Sequence, residues 1–198
     1  MKLAIVTACS KDWVPMACAT LLSCARNRTI GAENFIILPE GSSASSAHIL
    51  RAASALTGEP IRAIELDRQL LSRLHTGQFH ESAIFRLAMD KLIDQNFDRV
   101  LYLDSDLLVL KSIDEFLACN LQDQYAAAVS DFGLLPGIST SKALKTRDAV
   151  GLTINQQYFN SGVMLFSWKE TLAAEVFSNA RRLLGERQFQ LPDQDALN

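Results

Sequence analysis

Two aspartates interrupt apolar sequence in the stretch "DRVLYLDSDLLVL", which runs from residue 98 to residue 110. They are Asp104 and Asp106, and residues two apart on an extended strand point to the same side, so their carboxylates are predicted to converge. Two ionised carboxylates held close together repel each other, and neither is cheaply buried. A divalent cation removes both costs, and an all-oxygen ligand set favours Mg²⁺ or Mn²⁺ over zinc.

Two carboxylates leave most of an octahedral shell open, and the open positions suit the oxygens of a diphosphate. A cation that bridges a diphosphate stabilises the negative charge as the diphosphate departs. The alternative without a ligand is that Asp104 ends the strand and Asp106 lies in a turn. The apolar strand around the pair favours the metal site.

Other uses of paired acids fit this stretch less well. A glycoside hydrolase places its carboxylates on opposite sides of the scissile bond, usually on different elements. A phosphatase that forms an aspartyl phosphate usually carries its pair after the first strand, with a threonine close behind. Here the pair follows roughly the fourth predicted strand, and Leu107 and Leu108 come next.

The elements that must position this pair alternate between strand and helix patterns. Strands are predicted at 3–8, 34–39, 61–66, 99–103, 125–130 and 158–167, and helices at 13–26, 47–56, 80–95 and 168–184. In the helix at 80–95, Ile84 and Leu87 share the apolar face and Arg86 falls on the other face. This alternation predicts an α/β fold with a mostly parallel sheet covered on both faces. Ligands of such sheets bind beyond the carboxyl ends of the strands, where the aspartate pair lies.

Smaller signals complete the predicted element order. Ser112 and Glu115 are spaced as a capping box at the start of a short helix, and Gly185 is predicted to close the helix at 168–184. Residues 131–156 show little periodicity and are predicted to form a long loop. Another helix begins within the last residues, "LPDQDALN". We therefore expect the chain to be incomplete at its C-terminal end.

Composition excludes several classes of protein. A chain of 198 residues suits one domain, and a net charge of −3 without a basic run argues against a nucleic-acid partner. The four cysteines lack metal-site spacing and are predicted to be reduced core thiols. The apolar N-terminus is too short for a signal segment or a membrane span, so we expect a cytoplasmic protein. A peripheral membrane contact stays open, and nothing in the sequence indicates an oligomeric state.

Four ordered segments resemble glycosyltransferases of the family-8 type, which have the GT-A fold. The segments are "AIVTACSKDWVPMACATLLSC", "FRLAMDKLIDQNFDRVLYLDSDLLVLKSIDEF", "YFNSGVMLFSWKE" and "PDQDALN". The resemblance implies a Rossmann-like three-layer sandwich with a mixed, mostly parallel central sheet. It implies one domain over 1–198, with a nucleotide-binding half at about 1–106 and a sugar- and acceptor-binding half at about 107–198. The activity implied is transfer of a hexose from a UDP-sugar to a saccharide or glycolipid acceptor, with retention and usually with Mn²⁺.

The resemblance also implies roles for individual residues. Asp104 and Asp106 correspond to metal ligands, and Asp193 and Gln194 correspond to catalytic residues that stabilise and orient the reacting sugar. The residues expected to bind the nucleotide sugar are Ala8, Ser10, Asp12, Trp13, Arg86, Asp104, Ser105, Asn160 and Ser161. Ser10 stands where the family commonly has an aspartate that recognises uracil, which weakens the expectation of strict uridine specificity.

Each implied role has a plainer alternative. Trp13 can be a core residue at a helix start, and Arg86 can pair with Asp90 one helical turn away. Gly162, next to Ser161, lets the backbone approach a ligand or else marks a bulge. Asp193 can be the N-cap of the last helix.

One departure from the family bears on activity. The family carries a third metal ligand, a histidine in a later segment, and no such segment occurs before Asn198. We therefore expect this chain to hold metal and diphosphate weakly and to have low or no turnover. The alternative function is a catalytically inactive nucleotide-sugar-binding domain that acts with a partner. A nucleotidyltransferase is disfavoured, since "TACSKDWVP" after the first strand lacks the glycines of a phosphate-binding loop.

Overall fold

The computed structural model describes all residues from Met1 to Asn198 and contains a six-stranded mixed sheet. Its strands are β1 Leu3–Ala8, β2 Glu33–Pro39, β3 Ile61–Leu66, β4 Arg99–Leu103, β5 Ala126–Ser130 and β6 Phe159–Ser167. They lie in the order β3-β2-β1-β4-β6-β5. The pairings among β1, β2, β3 and β4 are parallel, whereas β6 is antiparallel to both β4 and β5. The predicted α/β fold with a mostly parallel sheet is confirmed.

Helices cover both faces of the sheet. The α-helices are α1 Val14–Arg26, α2 Ser43–Thr57, α3 Met89–Leu92, α4 Asp114–Ala118, α5 Ser141–Ala149, α6 Trp168–Ala173, α7 Val176–Glu186 and α8 Pro192–Leu197. Four short 3-10 helices span Lys11–Trp13, Arg68–Leu71, Glu81–Ala88 and Phe132–Leu134. No helix combines the length and the apolar character that crossing a bilayer requires.

The sheet separates two apolar cores. Alternate residues of β1 point to opposite faces, so Val6 belongs to one core and Ile5 to the other. The core on the Val6 side includes Trp168 and residues of α7 and α8, and the core on the Ile5 side includes residues of α1 and α2. This is the predicted three-layer arrangement. All four cysteines are free; Cys9, Cys18 and Cys24 are buried, as predicted, whereas Cys119 is only partly buried.

The prediction of an α-helix at 80–95 is wrong, because half of this segment is a 3-10 helix. Arg86 therefore lies on a different face from the one predicted. The chain forms a 3-10 helix at Glu81–Ala88, followed by only one turn of α-helix in α3. A 3-10 helix has three residues per turn, so side chains three apart lie above one another. Arg86 therefore shares a face with Ala83, and it is buried rather than placed on an outer polar face. Asp90 pairs with Arg181 instead, at 2.5 Å.

The predicted loop at 131–156 is also wrong, because it contains the 3-10 helix Phe132–Leu134 and α5. The sequence of α5 has almost no apolar face, which hid it from a search for periodicity. Its N-cap is Thr140, whose hydroxyl accepts a hydrogen bond from the N–H of Ala143 at 3.2 Å. That N-cap was the signal available in the sequence.

Two predicted helix ends differ from the structure. The capping box does not form, because α4 starts after Ile113 and the Ser112 hydroxyl accepts only from the N–H of Asp114, at 3.3 Å. The helix predicted at 168–184 is divided between α6 and α7 at Glu175, which has a φ of 53°. Gly185 lies inside α7, whose last residue is Glu186. The predicted last helix is confirmed as α8.

Candidate active site beyond β1 and β4

A cleft of about 560 Å³ opens at the carboxyl ends of β1 and β4. This is the edge at which open α/β sheets bind their ligands. Residues from both halves of the chain line it: Ala8, Cys9, Ser10, Trp13, Phe79, His80, Ser82, Ala83, Arg86, Tyr102, Asp104, Ser105, Asp106, Ser161, Leu191, Pro192, Asp193 and Gln194. The cleft thus brings together ten of the twelve residues that the sequence analysis assigned to binding, metal ligation or catalysis.

Asp104 and Asp106 both line this cleft, but only Asp104 is held by other side chains. Asp104 follows directly after β4, and its Oδ1 accepts hydrogen bonds from Arg86 at 2.6 Å and from the Tyr102 hydroxyl at 3.1 Å. Asp106 is exposed and its carboxylate has no hydrogen-bond or ion-pair partner. One acid is therefore fixed in place and the other is free to bind a ligand.

Gly162 provides the space in which the Asp104 carboxylate lies. The backbone N–H of Asp104 donates to the Gly162 carbonyl at 2.8 Å, and a Cβ at position 162 would lie only 2.5 Å from Asp104 Oδ2. The register of β5 against β6 shifts here, because Ala128 faces Met164 while Val129 faces Asn160. The bulge interpretation of Gly162 is therefore confirmed, and the group that closely approaches this glycine is a carboxylate of the same chain.

Arg86 connects the aspartate pair to the last helix. Its guanidinium donates to the carbonyl oxygen of Ser161 at 2.5 Å and to the Ser161 hydroxyl at 3.1 Å. Its Nε lies 2.9 Å from Asp193 Oδ2, an ion-pair contact without the alignment of a hydrogen bond. Its guanidinium also lies 4.4 Å from the centre of the Tyr102 ring. Burial alone lowers the pKa of Arg86, but Tyr102, Asp193 and Asp104 together raise this pKa above its ordinary value.

The side chains of Asp193 and Gln194 on α8 are held by residues on either side of them. Ser161 donates its hydroxyl to Asp193 Oδ2 at 3.0 Å and its backbone N–H to Gln194 Oε1 at 3.0 Å. The Gln194 amide nitrogen donates to Asp131 Oδ2 at 2.9 Å. Asp193 is not the N-cap of α8, since Leu191 holds that position and Pro192 is the first helical residue.

Asp195, also on α8, faces away from this network toward β6. The Tyr158 hydroxyl donates to Asp195 Oδ1, and burial raises the pKa of both the tyrosine and the aspartate. Asp195 Oδ2 accepts the backbone N–H of Leu191 at 2.9 Å. Asp195 therefore fixes the start of α8 and so positions its two neighbours at the cleft.

The residues after β1 form the opposite wall. Ala8, Ser10 and Trp13 line the cleft, and the Trp13 side chain is 48% exposed, so it is not a core residue.

Two predicted binding residues do not line the cleft. Asp12 is exposed on the Lys11–Trp13 helix, and Asn160 turns its Oδ1 to accept the N–H of Gly162 at 2.8 Å.

Several lining residues were missed from the sequence. His80 and Ala83 precede the predicted Arg86 at intervals of three residues, so the 3-10 helix and its N-cap residue His80 turn both toward the cleft. Tyr102 precedes Asp104 by two residues and points to the same side of β4, a signal that alternation along the strand offered. Phe79 and Leu191 lie in connecting segments that carry no periodic pattern.

The donors of the cleft can supply only part of a metal shell. No group of three or more histidine, cysteine, aspartate or glutamate side chains comes together anywhere in the chain. The available donors are hard oxygens, Asp104 Oδ2 in its recess beside Gly162 and the free carboxylate of Asp106. Such a pair suits Mg²⁺ or Mn²⁺ only if a ligand provides the remaining oxygens.

The family model for glycosyl transferase family 8 matches residues 4–198 of this chain. Among curated proteins, General stress protein A of Bacillus subtilis (strain 168) is 30% identical over 147 residues, which are 71% of this chain and 48% of that protein. The lipopolysaccharide 1,2-glucosyltransferase of Escherichia coli is 31% identical over 121 residues, 59% of this chain and 34% of the enzyme. The chain spans half or less of the length of these curated relatives.

Solved structures show the same fold. The galactosyltransferase LgtC, in complex with donor and acceptor sugar analogues, matches with a TM-score of 0.82 at 22% identity. The match covers 98% of this chain and 69% of LgtC. The bifunctional glycosyltransferase WbbM matches over the whole chain and 37% of its own length, with a TM-score of 0.77 at 19% identity. The predicted GT-A fold is confirmed.

Proposed function

The chain belongs to glycosyl transferase family 8, and from that premise we propose that it transfers a hexose from a UDP-sugar to a saccharide or glycolipid acceptor. The transfer retains the anomeric configuration of the hexose and depends on Mn²⁺ or Mg²⁺. The observation that carries this proposal is the aspartate pair: Asp104 is locked between Arg86 and Gly162 while Asp106 stays free in the same cleft. The glucosyltransferase activity in the name of the Escherichia coli relative supports a saccharide acceptor.

Asp104 and Asp106 are the residues that would hold the metal. When bound, the metal neutralises charge on the diphosphate and so assists its departure. The two carboxylates balance the two positive charges of the cation but fill only part of its coordination shell. Oxygens of the diphosphate would complete that shell. This incomplete set accords with our expectation that the chain alone binds metal and diphosphate weakly.

The remaining cleft residues divide between nucleotide and sugar. Trp13 offers an exposed ring on which a base can stack, Ala8 and Ser10 belong to the same wall, and Ser105 lines the cleft after β4. On this proposal the residues up to about 106 bind the nucleotide, and those from 107 onward meet the hexose and the acceptor. Neither Asp12 nor Asn160 lines the cleft, and Asn160 contributes by holding Gly162 in place.

The transfer breaks the bond between the anomeric carbon and the diphosphate oxygen and forms a bond from that carbon to the acceptor oxygen. The acceptor proton passes to the departing diphosphate, so no separate base is required. Positive charge develops on the hexose during this step. Asp193 lies in the cleft with its Oδ1 unbonded, and it can stabilise that charge, while Gln194 orients the sugar.

A second candidate is an inactive nucleotide-sugar-binding domain that works with a partner. The observation that favours it is that Asp104 already shares its Oδ1 with a buried arginine, and no third metal-binding side chain joins the pair. Such a domain would bind a nucleotide sugar without cleaving it.

A screen for hydrolysis of a panel of UDP-sugars with Mn²⁺, read by mass spectrometry, separates the two functions. The transferase is expected to release UDP from at least one donor, and an added saccharide acceptor is expected to capture the hexose. Addition of a metal chelator is expected to abolish both signals. UDP-sugar binding by calorimetry without any release of UDP would instead establish the inactive domain.

A further inference from the structure

Arg147 is buried without a carboxylate partner. Its side chain is only 1% exposed, and its guanidinium donates to the carbonyl oxygens of Leu134, Thr153 at 2.9 Å and Gln156 at 2.6 Å. Burying a charge is costly unless polar groups surround it, so three convergent carbonyl groups indicate a position that the fold specifies. A role in solubility or in a surface ion pair is excluded by this burial.

The three carbonyl groups come from one segment, residues 131–156, which we call the cap. Leu134 lies near the start of the cap, Arg147 near its middle on α5, and Thr153 and Gln156 at its end. Arg147 therefore ties three parts of the cap to one guanidinium. The apolar cluster that includes the cap is small, since it consists of Leu134 and Ala143 of the cap and Tyr158 outside it, so the polar contacts of Arg147 carry much of the cap's order.

A continuous chain of hydrogen bonds leads from Arg147 to the reaction centre. The N–H of Leu134 donates to the Asp131 carbonyl at 3.0 Å, which fixes the turn that carries the Asp131 side chain. Asp131 Oδ2 accepts the amide of Gln194 at 2.9 Å. The backbone N–H of Ser161 donates to the other end of that amide, so the orientation of Gln194 is set from both sides.

A second contact links α5 to the segment before α8. The hydroxyl of Thr146, the residue before Arg147, donates to Gln190 Oε1 at 3.2 Å. The cap thus touches both Gln190 and Gln194, on either side of the start of α8.

We propose that Arg147 is a positioning residue for the reaction centre, acting through Leu134 and Asp131 to hold the amide of Gln194. The kinetic part of this inference rests on the proposed transferase function, whereas the structural part does not. Loss of the guanidinium releases the turn at Leu134, and Asp131 no longer holds Gln194 in one orientation. Misplacement of a catalytic group by about 1 Å lowers turnover by about 100-fold.

The test compares Arg147→Met with Arg147→Lys and with Arg28→Met. Arg28 is a matched control, because it is also a buried arginine but pairs with Glu59 far from the cleft. In Arg147→Met, the side-chain amide resonance of Gln194 in an NMR spectrum is expected to move toward the position of a free amide. The ratio of acceptor transfer to UDP-sugar hydrolysis is expected to fall about tenfold or more, with the KM for the donor nearly unchanged. Arg28→Met is expected to lower stability but to change neither readout.

Arg147→Lys keeps the stem and the charge, and it is expected to restore part of the transfer-to-hydrolysis ratio even if Arg147→Met fails to fold. An unmoved Gln194 resonance in both Arg147 variants would overturn the inference, as would equal changes in Arg28→Met at equal loss of stability. If the wild-type chain hydrolyses no UDP-sugar, the transferase proposal fails, and the Gln194 resonance still decides whether Arg147 positions that residue.

Discussion

The sheet has a regular half and an irregular half, and the candidate active site depends on the irregular one. In the regular half, β1, β2 and β3 pair in parallel without a break in register, and β1 is buried along its whole length. In the irregular half, β4, β6 and β5 pair antiparallel, the register shifts near Gly162, and the edge strand β5 is partly exposed.

The difference shows where polar groups can be accommodated in this fold. The regular half buries aliphatic side chains and contributes to the cleft mainly through the residues after β1. The irregular half supplies the bulge that seats the Asp104 carboxylate and the serine backbone that holds Arg86 and Gln194. β-Bulges often occur beside active sites because they redirect side chains that a regular strand would place in alternation.

The largest expected effect comes from removing the guanidinium of Arg86, which joins Asp104 to Asp193. Arg86→Met leaves Asp104 and Asp193 without their buried partner, and breaking a buried ion pair in this way costs about 3–5 kcal/mol of unfolding free energy. Arg62→Met is the control in the regular half, because Arg62 and Glu33 form an exposed pair at 2.8 Å, worth about 0–1 kcal/mol. Urea unfolding of both variants measures the contrast. Equal losses would show that the Arg86 network is no more important for stability than a surface contact.

A smaller effect is expected from adding one methyl group beside Asp104. Gly162→Ala places a Cβ 2.5 Å from Asp104 Oδ2, and overpacking of this kind costs about 1–3 kcal/mol. The φ of Gly162 is one that other residues adopt, so the clash is the only cause of the loss. Mn²⁺ binding, measured by electron paramagnetic resonance in the presence of UDP, is expected to weaken in the same variant.

Gly31→Ala is the matched control for that substitution, because a Cβ at Gly31 meets no atom within 4 Å. Its stability is expected to be unchanged or raised by up to about 1 kcal/mol. If Gly162→Ala behaved like Gly31→Ala in both measurements, the recess beside Gly162 would have no part in holding Asp104.

The smallest effect concerns acid sensitivity in the regular half. Hydrogen bonds from the Ser43 side chain, the Ser43 N–H and the Gly41 N–H lower the pKa of Glu65 from 4.5 to about 2. A carboxyl whose pKa is lowered on folding contributes stability above its unfolded pKa, and that stability is lost as the pH falls through the folded pKa. Glu65→Gln is therefore expected to be less stable than the wild type at pH 6.

Thermal unfolding from pH 6 down to pH 2 measures the difference between Glu65→Gln and the wild type. The gap is expected to narrow between pH 4.5 and about pH 2, as Glu65 becomes protonated in the wild type. A gap that stays constant over this range would mean that the charge of Glu65 does not contribute. Transfer activity at pH 6 is expected to be the same in both proteins, since Glu65 lies outside the cleft.

The sequence predicts the strands of both halves well, and it predicts the segments between the strands poorly. β1, β3 and β4 have the predicted bounds, because apolar or alternating residues between polar turns define strands well. The predicted face of Arg86 is wrong because hydrophobic periodicity assumes an α-helix, whereas the buried residues 84–88 lie in a 3-10 helix. The cap escaped prediction because polar contacts to Arg147, rather than an apolar face, order it.

The residues of the site also divide into those that the local sequence predicts and those that it does not. The convergence of Asp104 and Asp106 on one cleft followed from their spacing and from the strand that precedes them. The role of Asp131 in holding Gln194 did not, because hydrogen bonds between residues 63 positions apart leave no local signal in a single sequence. The roles in binding and catalysis that we assign to Asp104, Asp106 and Gln194 remain predictions.

The most direct test of the central claim is the rate of UDP-sugar hydrolysis with Mn²⁺ in the wild type, in Asp106→Asn and in Asp123→Asn. Asp106 is the exposed carboxylate of the cleft, whereas Asp123 is exposed on a turn outside it. The metal-dependent rate is expected to fall by about 100-fold or more in Asp106→Asn and to be unchanged in Asp123→Asn. A wild-type rate in Asp106→Asn, still dependent on Mn²⁺, would show that the metal is bound elsewhere and would contradict the account.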